Sequence, residues 1–196
     1  MVHIQLKEME EYAKEHNVPI MLPDGIDFLV QYIKENKIKN ILEIGTAIGY
    51  SSIRMCLIDK DIKVTTIERD EIRYLEAQKN IKKFNLEKQI ELIYGDALET
   101  NITGKYDLIF IDAAKSQYIK FFERYEKNLN LNGVIVSDNL NFHGLTHTTE
   151  PIESRNVRGI VRKLNNYIDH LKNNNHFITD FYEIGDGISI SKIIDK

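Results

Sequence analysis

Short apolar runs alternate with longer stretches of helical periodicity along almost the whole chain. Lys39–Ile44 and Lys63–Glu68 read as buried strands, and Ile90–Tyr94, Tyr106–Ile111 and Val134–Ser137 as three more. Between them apolar residues recur every three or four positions. That spacing predicts helices over Asp24–Lys37, Ser51–Leu57, Asp70–Phe84, Tyr118–Leu129 and about Arg155–Asn173. In the third of these, Ile72, Leu75, Ala77, Ile81 and Phe84 form the expected buried face, and Asp70 is the expected N-cap. Asn132-Gly133 is expected to turn into the fifth strand. Two last strands, Phe177–Ile184 and Ile188–Ile193, are joined at Gly185-Asp186-Gly187, a hairpin signal.

Repeated strand–helix alternation predicts an α/β fold: a doubly wound, mostly parallel seven-stranded sheet with helices on both faces and a C-terminal antiparallel hairpin. One domain over residues 1–196 is expected, with N-terminal helices over about 4–37 and a core over about 39–139. A loop and basic helix follow over about 140–174, then closing strands over about 176–194. In such sheets ligands sit beyond the carboxyl ends of the strands, so the residues just after each strand are where chemistry is sought.

Composition narrows the class. The chain is 42% hydrophobic with a net charge of −4, which excludes a disordered polyelectrolyte. No apolar run approaches the ~18 residues of a membrane helix. The first sixteen residues mix both charge signs, which argues against a signal peptide. Cys56 is the only cysteine, so no intrachain disulfide forms and a cytoplasmic location is expected. Cys56 lies among apolar helical positions and reads as core.

The segment Glu43-Ile44-Gly45-Thr46-Ala47-Ile48-Gly49-Tyr50-Ser51 follows the first strand and opens a helix. Gly45 and Gly49 permit close backbone approach to a ligand, and the helix start offers free N–H groups. A ligand-free tight turn has the same pattern. Glu68 at the end of the second strand suits ribose hydroxyls, and Asp96 after the third suits an adenine amino group. Together these three strand ends point to an adenosyl cofactor. NAD is the alternative, but the G-x-G-x-x-G fingerprint is absent. Glu43 also sits badly for a pyrophosphate and well for the cationic part of S-adenosylmethionine.

Asp112 ends the fourth strand, and Asp138-Asn139 end the fifth. Adjacent parallel strands bring these oxygen donors together as a hard site suited to Mg²⁺. The alternative is that both aspartates only cap the elements after them. Lys115, three residues beyond Asp112, is either a base or an ion-pair partner for the aspartates. A zinc site at His143, His147 and Glu150 is a weaker reading, because those residues lie in a loop.

The ordered motifs E-I-G-T-x-x-G-Y-S, I-E-R-D, G-D-A-L, F-I-D-A-A-K and S-D-N resemble the class I O-methyltransferases of the catechol and caffeoyl-CoA type, from about residue 20 onward. Ala47 stands where that family usually has glycine. The resemblance implies that Glu43, Gly45, Tyr50 and Ser51 lie along the methionine part of S-adenosylmethionine. It further implies that Glu68 holds the ribose, that Asp96 and Ala97 border the adenine, and that Asp112 borders the cofactor as well. Asp112, Asp138 and Asn139 would ligate the metal, with Lys115 catalytic, and a homodimer is common in the family.

Five Lys and Arg against Asp169 alone make residues 154–172 basic, a net of +4 in a chain of net −4. Arg155, Arg158 and Arg162 share one helical face. They are read either as a solvated face or as phosphate contacts. Phe110–Tyr118, Ser137-Asp138-Asn139, Phe142-His143-Gly144 and Arg155–Arg158 resemble the bacterial branch that methylates 5-hydroxyuridine at the tRNA wobble position. The resemblance implies a tRNA anticodon stem-loop as partner, with Tyr50, Tyr118, Phe142 or His143 available to stack on the base. The rival readings are a small-molecule catechol or acyl-CoA-linked phenol O-methyltransferase, and a non-catalytic binding protein of the same fold.

Overall fold

The computed structural model describes residues 2–194. Helices α1 (Val2–Glu15) and α2 (Pro23–Glu35) precede the alternating core. The core runs β1 (Asn40–Ile44), α3 (Tyr50–Cys56), β2 (Lys63–Glu68), α4 (Glu71–Lys83), β3 (Ile90–Tyr94), β4 (Tyr106–Ile111), α5 (Tyr118–Tyr125) and β5 (Leu129–Ser137). Helix α6 (Arg155–Lys172) and strands β6 (Phe177–Tyr182) and β7 (Ile188–Ile193) complete it. The seven strands are ordered β3-β2-β1-β4-β5-β7-β6, with β7 antiparallel to β5 and to β6 and the other pairs parallel. This is the predicted doubly wound architecture. No described helix is long and apolar enough to cross a membrane.

The central strands read as unbroken apolar runs because both their faces are covered. Leu108, Phe110, Val134 and Val136 point into one core, with Ile26, Leu29 and Ile33 of α2 and Ile53 of α3. Ile109, Ile111 and Ile135 point into the other, with Phe122 of α5 and Leu164 and Tyr167 of α6. Ile44 pairs in register with Ile67 and Ile111, and Ile111 with Ser137. The carboxyl ends of β2, β1, β4 and β5 are therefore level, and the residues following them converge.

Three local expectations change. Ile72 and Leu75 are exposed, 76% and 46%. Ala77 and Ile81 are buried as expected, joined by Asn80, because only the second half of α4 lies against the sheet and the α3 turn. There Asn80 Nδ2 donates to the Ile48 carbonyl at 3.0 Å. Asp70 is the N-cap as expected, accepting from the Arg73 amide at 2.9 Å. Helix α5 stops at Tyr125 and passes through a 3₁₀ turn at Glu126–Asn128. Asn128 ties that turn down by donating to the Ile102 and Gly104 carbonyls. Strand β5 begins at Leu129, ahead of Asn132-Gly133, with a register shift against β4 between Tyr106 and Leu108.

Candidate active site

The level strand ends open on one cleft. It is lined by Gly45–Ala47, Tyr50 and Ser51 from the β1–α3 turn, Glu68 and Arg69 after β2, Gly95–Ala97 after β3, Asp112–Lys115 after β4 and Asn139 after β5. Pro19, Ile20 and Met21, ahead of α2, close one side, and Arg73 and Phe121 also reach it. These last five were not singled out from sequence. Arg73 reaches the cleft from the first turn of α4, whose N-cap is Asp70.

The turn after β1 depends on backbone that side chains resist. Gly45 has φ 99°, and a Cβ there would lie 2.2 Å from the Asp112 carbonyl oxygen. Gly49 has φ 84° and Ala47 φ 47°. Ala47 is thus held in the left-handed region, where a glycine would be unstrained. Glu68 does the holding: its Oε2 accepts from the Ala47 amide at 2.8 Å, and its Oε1 from the Arg69 and Asp70 amides at 2.9 Å. Glu68 thus fixes the turn while also lining the cleft. Asp96 Oδ1 accepts from the Leu98 amide at 2.8 Å, and Oδ2 lies 3.7 Å from Arg69 Nη1. Ala97 is buried beside it, its carbonyl accepting from Tyr125 Oη at 2.5 Å.

Glu43 does not line the cleft. It is fully buried beneath the turn, where its carboxylate accepts from the hydroxyls of Ser51, Ser52 and Thr66. Thr66 in turn shares a 2.6 Å hydrogen bond with Thr46. Burial raises the Glu43 carboxyl to about 7, against the pull of those three hydroxyls. Its place is under the cofactor loop, tying the loop to β2 and the start of α3. Ser52 and Thr66 belong to this network and carry no sequence signal beyond a polar residue in an apolar run.

Tyr50 and Tyr118, expected as possible stacking faces, are both buried. Tyr50 donates to Glu10 at 2.6 Å, and Tyr118 to the Asp138 carbonyl at 3.1 Å. Phe142 is half-buried and His143 exposed.

Asp138 is 2% exposed, and its Oδ1 has no hydrogen-bond partner. Its Oδ2 accepts from Asn139 Nδ2 at 2.6 Å. Lys115 Nζ donates to Asn139 Oδ1 at 2.5 Å. Burial raises the Asp138 carboxyl to about 8, and the Asp112 charge beside it adds to the rise. Burial raises Asp112 as well, with the Lys115 ammonium opposing. Two carboxyls crowded together, one carrying an orphaned oxygen, fit a divalent cation by their chemistry. His143, His147 and Glu150 are exposed, and among the described residues no three His, Cys, Asp or Glu side chains gather as metal ligands, so the zinc reading fails. Burial raises the Cys56 thiol to about 12, consistent with core.

Arg155, Arg158 and Arg162 are exposed on α6, away from the cleft lining. Arg158 Nη1 donates to the carbonyls of Ile152 and Glu153, at 2.6 and 2.7 Å, and so fastens the loop ahead of the helix.

Sheet order, glycine turn and acidic strand ends are those of a Rossmann-like methyltransferase. A family model described as O-methyltransferase matches residues 2–194, and the chain belongs to that family. A crystal structure of a candidate caffeoyl-CoA O-methyltransferase from Staphylococcus aureus superposes with a TM-score of 0.92. It is 42% identical, covering 96% of this chain and 92% of the other. An O-methyltransferase from Bacillus cereus in complex with SAH gives 0.82 at 25% identity, over 97% and 90% of the two chains. The caffeoyl-CoA O-methyltransferase of Stellaria longipes is 28% identical over 95% of this chain and 82% of its own.

Proposed function

We propose that this protein transfers a methyl group from S-adenosylmethionine to a hydroxyl oxygen held beside a divalent cation. The observation that carries the reading is the orphaned, buried Asp138 Oδ1, which lies behind the part of the cleft wall that Asp112, Lys115 and Asn139 line and does not itself line the cleft. Gly45, Tyr50, Ser51, Glu68, Asp96 and Ala97 would bind the cofactor, with Glu43 supporting them from below. Asp112, Asp138 and Asn139 would hold the cation, with Mg²⁺ favoured by their hard oxygens. A cation there supplies Lewis acidity that lowers the pKa of a hydroxyl, and the cofactor supplies the electrophilic methyl group. As a free amine, Lys115 beside Asn139 would take the hydroxyl proton and become the ammonium that donates to Asn139 Oδ1. The rest of the chain contributes alignment and exclusion of water.

The acceptor we propose is 5-hydroxyuridine of a tRNA anticodon loop, converted to 5-methoxyuridine. It carries O5 beside O4, a pair of neighbouring oxygens, and a single-stranded base can be splayed into a cleft. Arg155 and Arg162, exposed on α6, support this reading. A small catechol or an acyl-CoA-linked phenol offers the same oxygen pair and fits the relatives' names about as well.

The test supplies purified protein, S-adenosylmethionine and Mg²⁺ with an anticodon stem-loop containing 5-hydroxyuridine and, separately, with caffeate and caffeoyl-CoA. Mass spectrometry reads the product. We expect methylation of the stem-loop, abolished by EDTA, and loss of 5-methoxyuridine from tRNA of a deletion strain. Product from the phenols alone assigns the small-molecule reading. Full activity after thorough chelation removes the cation from the mechanism.

A further inference from the structure

The segment after β5 carries Asn139 and folds back through Phe142 and His143. These three residues have φ of 65°, 44° and 57°. Phenylalanine and histidine rarely enter this region and stay only when neighbours hold them there. The neighbours are in the turn between β6 and β7. The Leu140 amide donates to the Gly187 carbonyl at 3.0 Å, and the Asn141 amide to the Asp186 carbonyl at 2.7 Å. The His143 amide donates to Asp186 Oδ1 at 2.5 Å, and Asp186 Oδ2 lies 3.8 Å from His143 Nδ1. Asp186 is itself buried, 7% exposed. A Cβ on Gly187 would lie 2.7 Å from Asn141 Cγ, so the two segments meet this closely only with glycine there. From the other side, Asp24 at the start of α2 accepts from the Gly185 amide at 3.1 Å.

This clamp sets one side chain in particular. The Phe142 ring centroid lies 5.7 Å from Lys115 Nζ, and Lys115 bonds to Asn139. Tyr50 and Tyr118 are buried with their hydroxyls engaged, which leaves Phe142 as the half-exposed aromatic face beside Lys115.

We propose that Asp186 is a positioning residue: by holding the His143 amide it keeps Phe142 in its left-handed conformation, as the apolar face on which the planar ring of the acceptor packs. This rests on the reading that Lys115 and Asn139 border the acceptor. An aromatic face costs little entropy to present and accepts any flat ring, nucleobase or phenol.

The chain has no tryptophan, so Phe142→Trp places a single emitter at the position in question without requiring any acceptor. In that background Asp186→Ala is expected to shift emission to the red and to raise acrylamide quenching about twofold, as local order at the loop is lost. Asp186→Asn keeps an acceptor oxygen for the amide and should stay close to the parent. With Phe142 native, Asp186→Ala should raise acceptor KM about tenfold while the Kd for S-adenosylmethionine moves less than about twofold. Unchanged emission and quenching in Asp186→Ala overturn the inference. So does an equal loss of cofactor and acceptor binding, which would make Asp186 a general folding residue. Should Asp186→Ala fail to fold, Asp186→Glu, which displaces the acceptor by one methylene, is read the same way. An enzyme that methylates none of the three acceptors sinks the functional reading; the fluorescence result still decides whether Asp186 holds the ring.

Discussion

Lys115 and Asn139, 24 positions apart in sequence, meet at 2.5 Å, ammonium to amide oxygen. The contact joins the end of β4 to the end of β5 and gives Lys115 a fixed position over the site. Lys115→Ala should therefore lower kcat by roughly 10²-fold or more with little change in cofactor affinity. Lys115→Arg restores the charge but not a group that can release its proton. If Lys115 is the base, single-turnover rates of Lys115→Arg stay as low as those of Lys115→Ala. Recovery in Lys115→Arg would make it an ion-pair partner only.

Asp138 carries a buried oxygen without a partner, which costs about 1–3 kcal/mol in the cation-free protein. Asp138→Asn removes a charge from that crowded site. Calorimetry should show an equal or higher Tm for Asp138→Asn than for the parent without metal, and no further rise on adding Mg²⁺. The parent should gain stability with Mg²⁺ by mass action. A parent Tm indifferent to Mg²⁺ would count against the cation site.

Glu43 gives a pH dependence whose sign is fixed by its burial. Its carboxyl is raised to about 7 when folded, above its ordinary value of 4.5. The folded state therefore binds the proton more tightly than the unfolded one. The associated stability is fully present below about pH 4.5 and is lost as pH rises through about 7. The effect is at most about 3 kcal/mol. Glu43→Gln, neutral throughout, should flatten the fall in urea-unfolding free energy between pH 5 and 8. Asp138 titrates in the same sense, so the quantity to compare is the difference between parent and variant. An unchanged slope would place the Glu43 titration elsewhere.

Arg155 and Arg162 are exposed and, among the described residues, make no ion pair or side-chain hydrogen bond, whereas Arg158 is spent on two loop carbonyls. If the face meets tRNA phosphates, the double substitution Arg155→Ala, Arg162→Ala should weaken stem-loop binding and reduce the salt slope by about 2. Arg158→Ala should instead increase proteolysis of the loop around Glu153. A salt slope unaffected by the double substitution returns the face to solvent.

Much of this was legible in the sequence, for identifiable reasons. The alternation of apolar runs set the strands, since a strand covered on both faces is largely apolar and admits a polar residue only where it finds partners, as Glu43 and Thr66 do. Glycine at 45 and 49 marked a turn that only small residues allow, and the acids at the strand ends stood out against apolar surroundings. Ile72 and Leu75 misled because periodicity reports which face is apolar, not how far along its length a helix has a neighbour. Glu43 misled because its place next to the loop in sequence does not say on which side of the backbone its carboxylate lies.

What sequence determined by itself was local: element types, turn chemistry, and the set of polar groups placed after strands. The tertiary structure decided which of those groups meet. The parallel register levels four strand ends, so Asp112, Asp138, Asn139 and Lys115 converge, and it sets Glu43 below the cleft, where Ser51, Ser52 and Thr66 satisfy it. It also brings the Asp186 turn against the Asn139 loop, a contact between segments 43 positions apart. Such contacts depend on how the sheet twists and how layers pack, and no single stretch of residues encodes that.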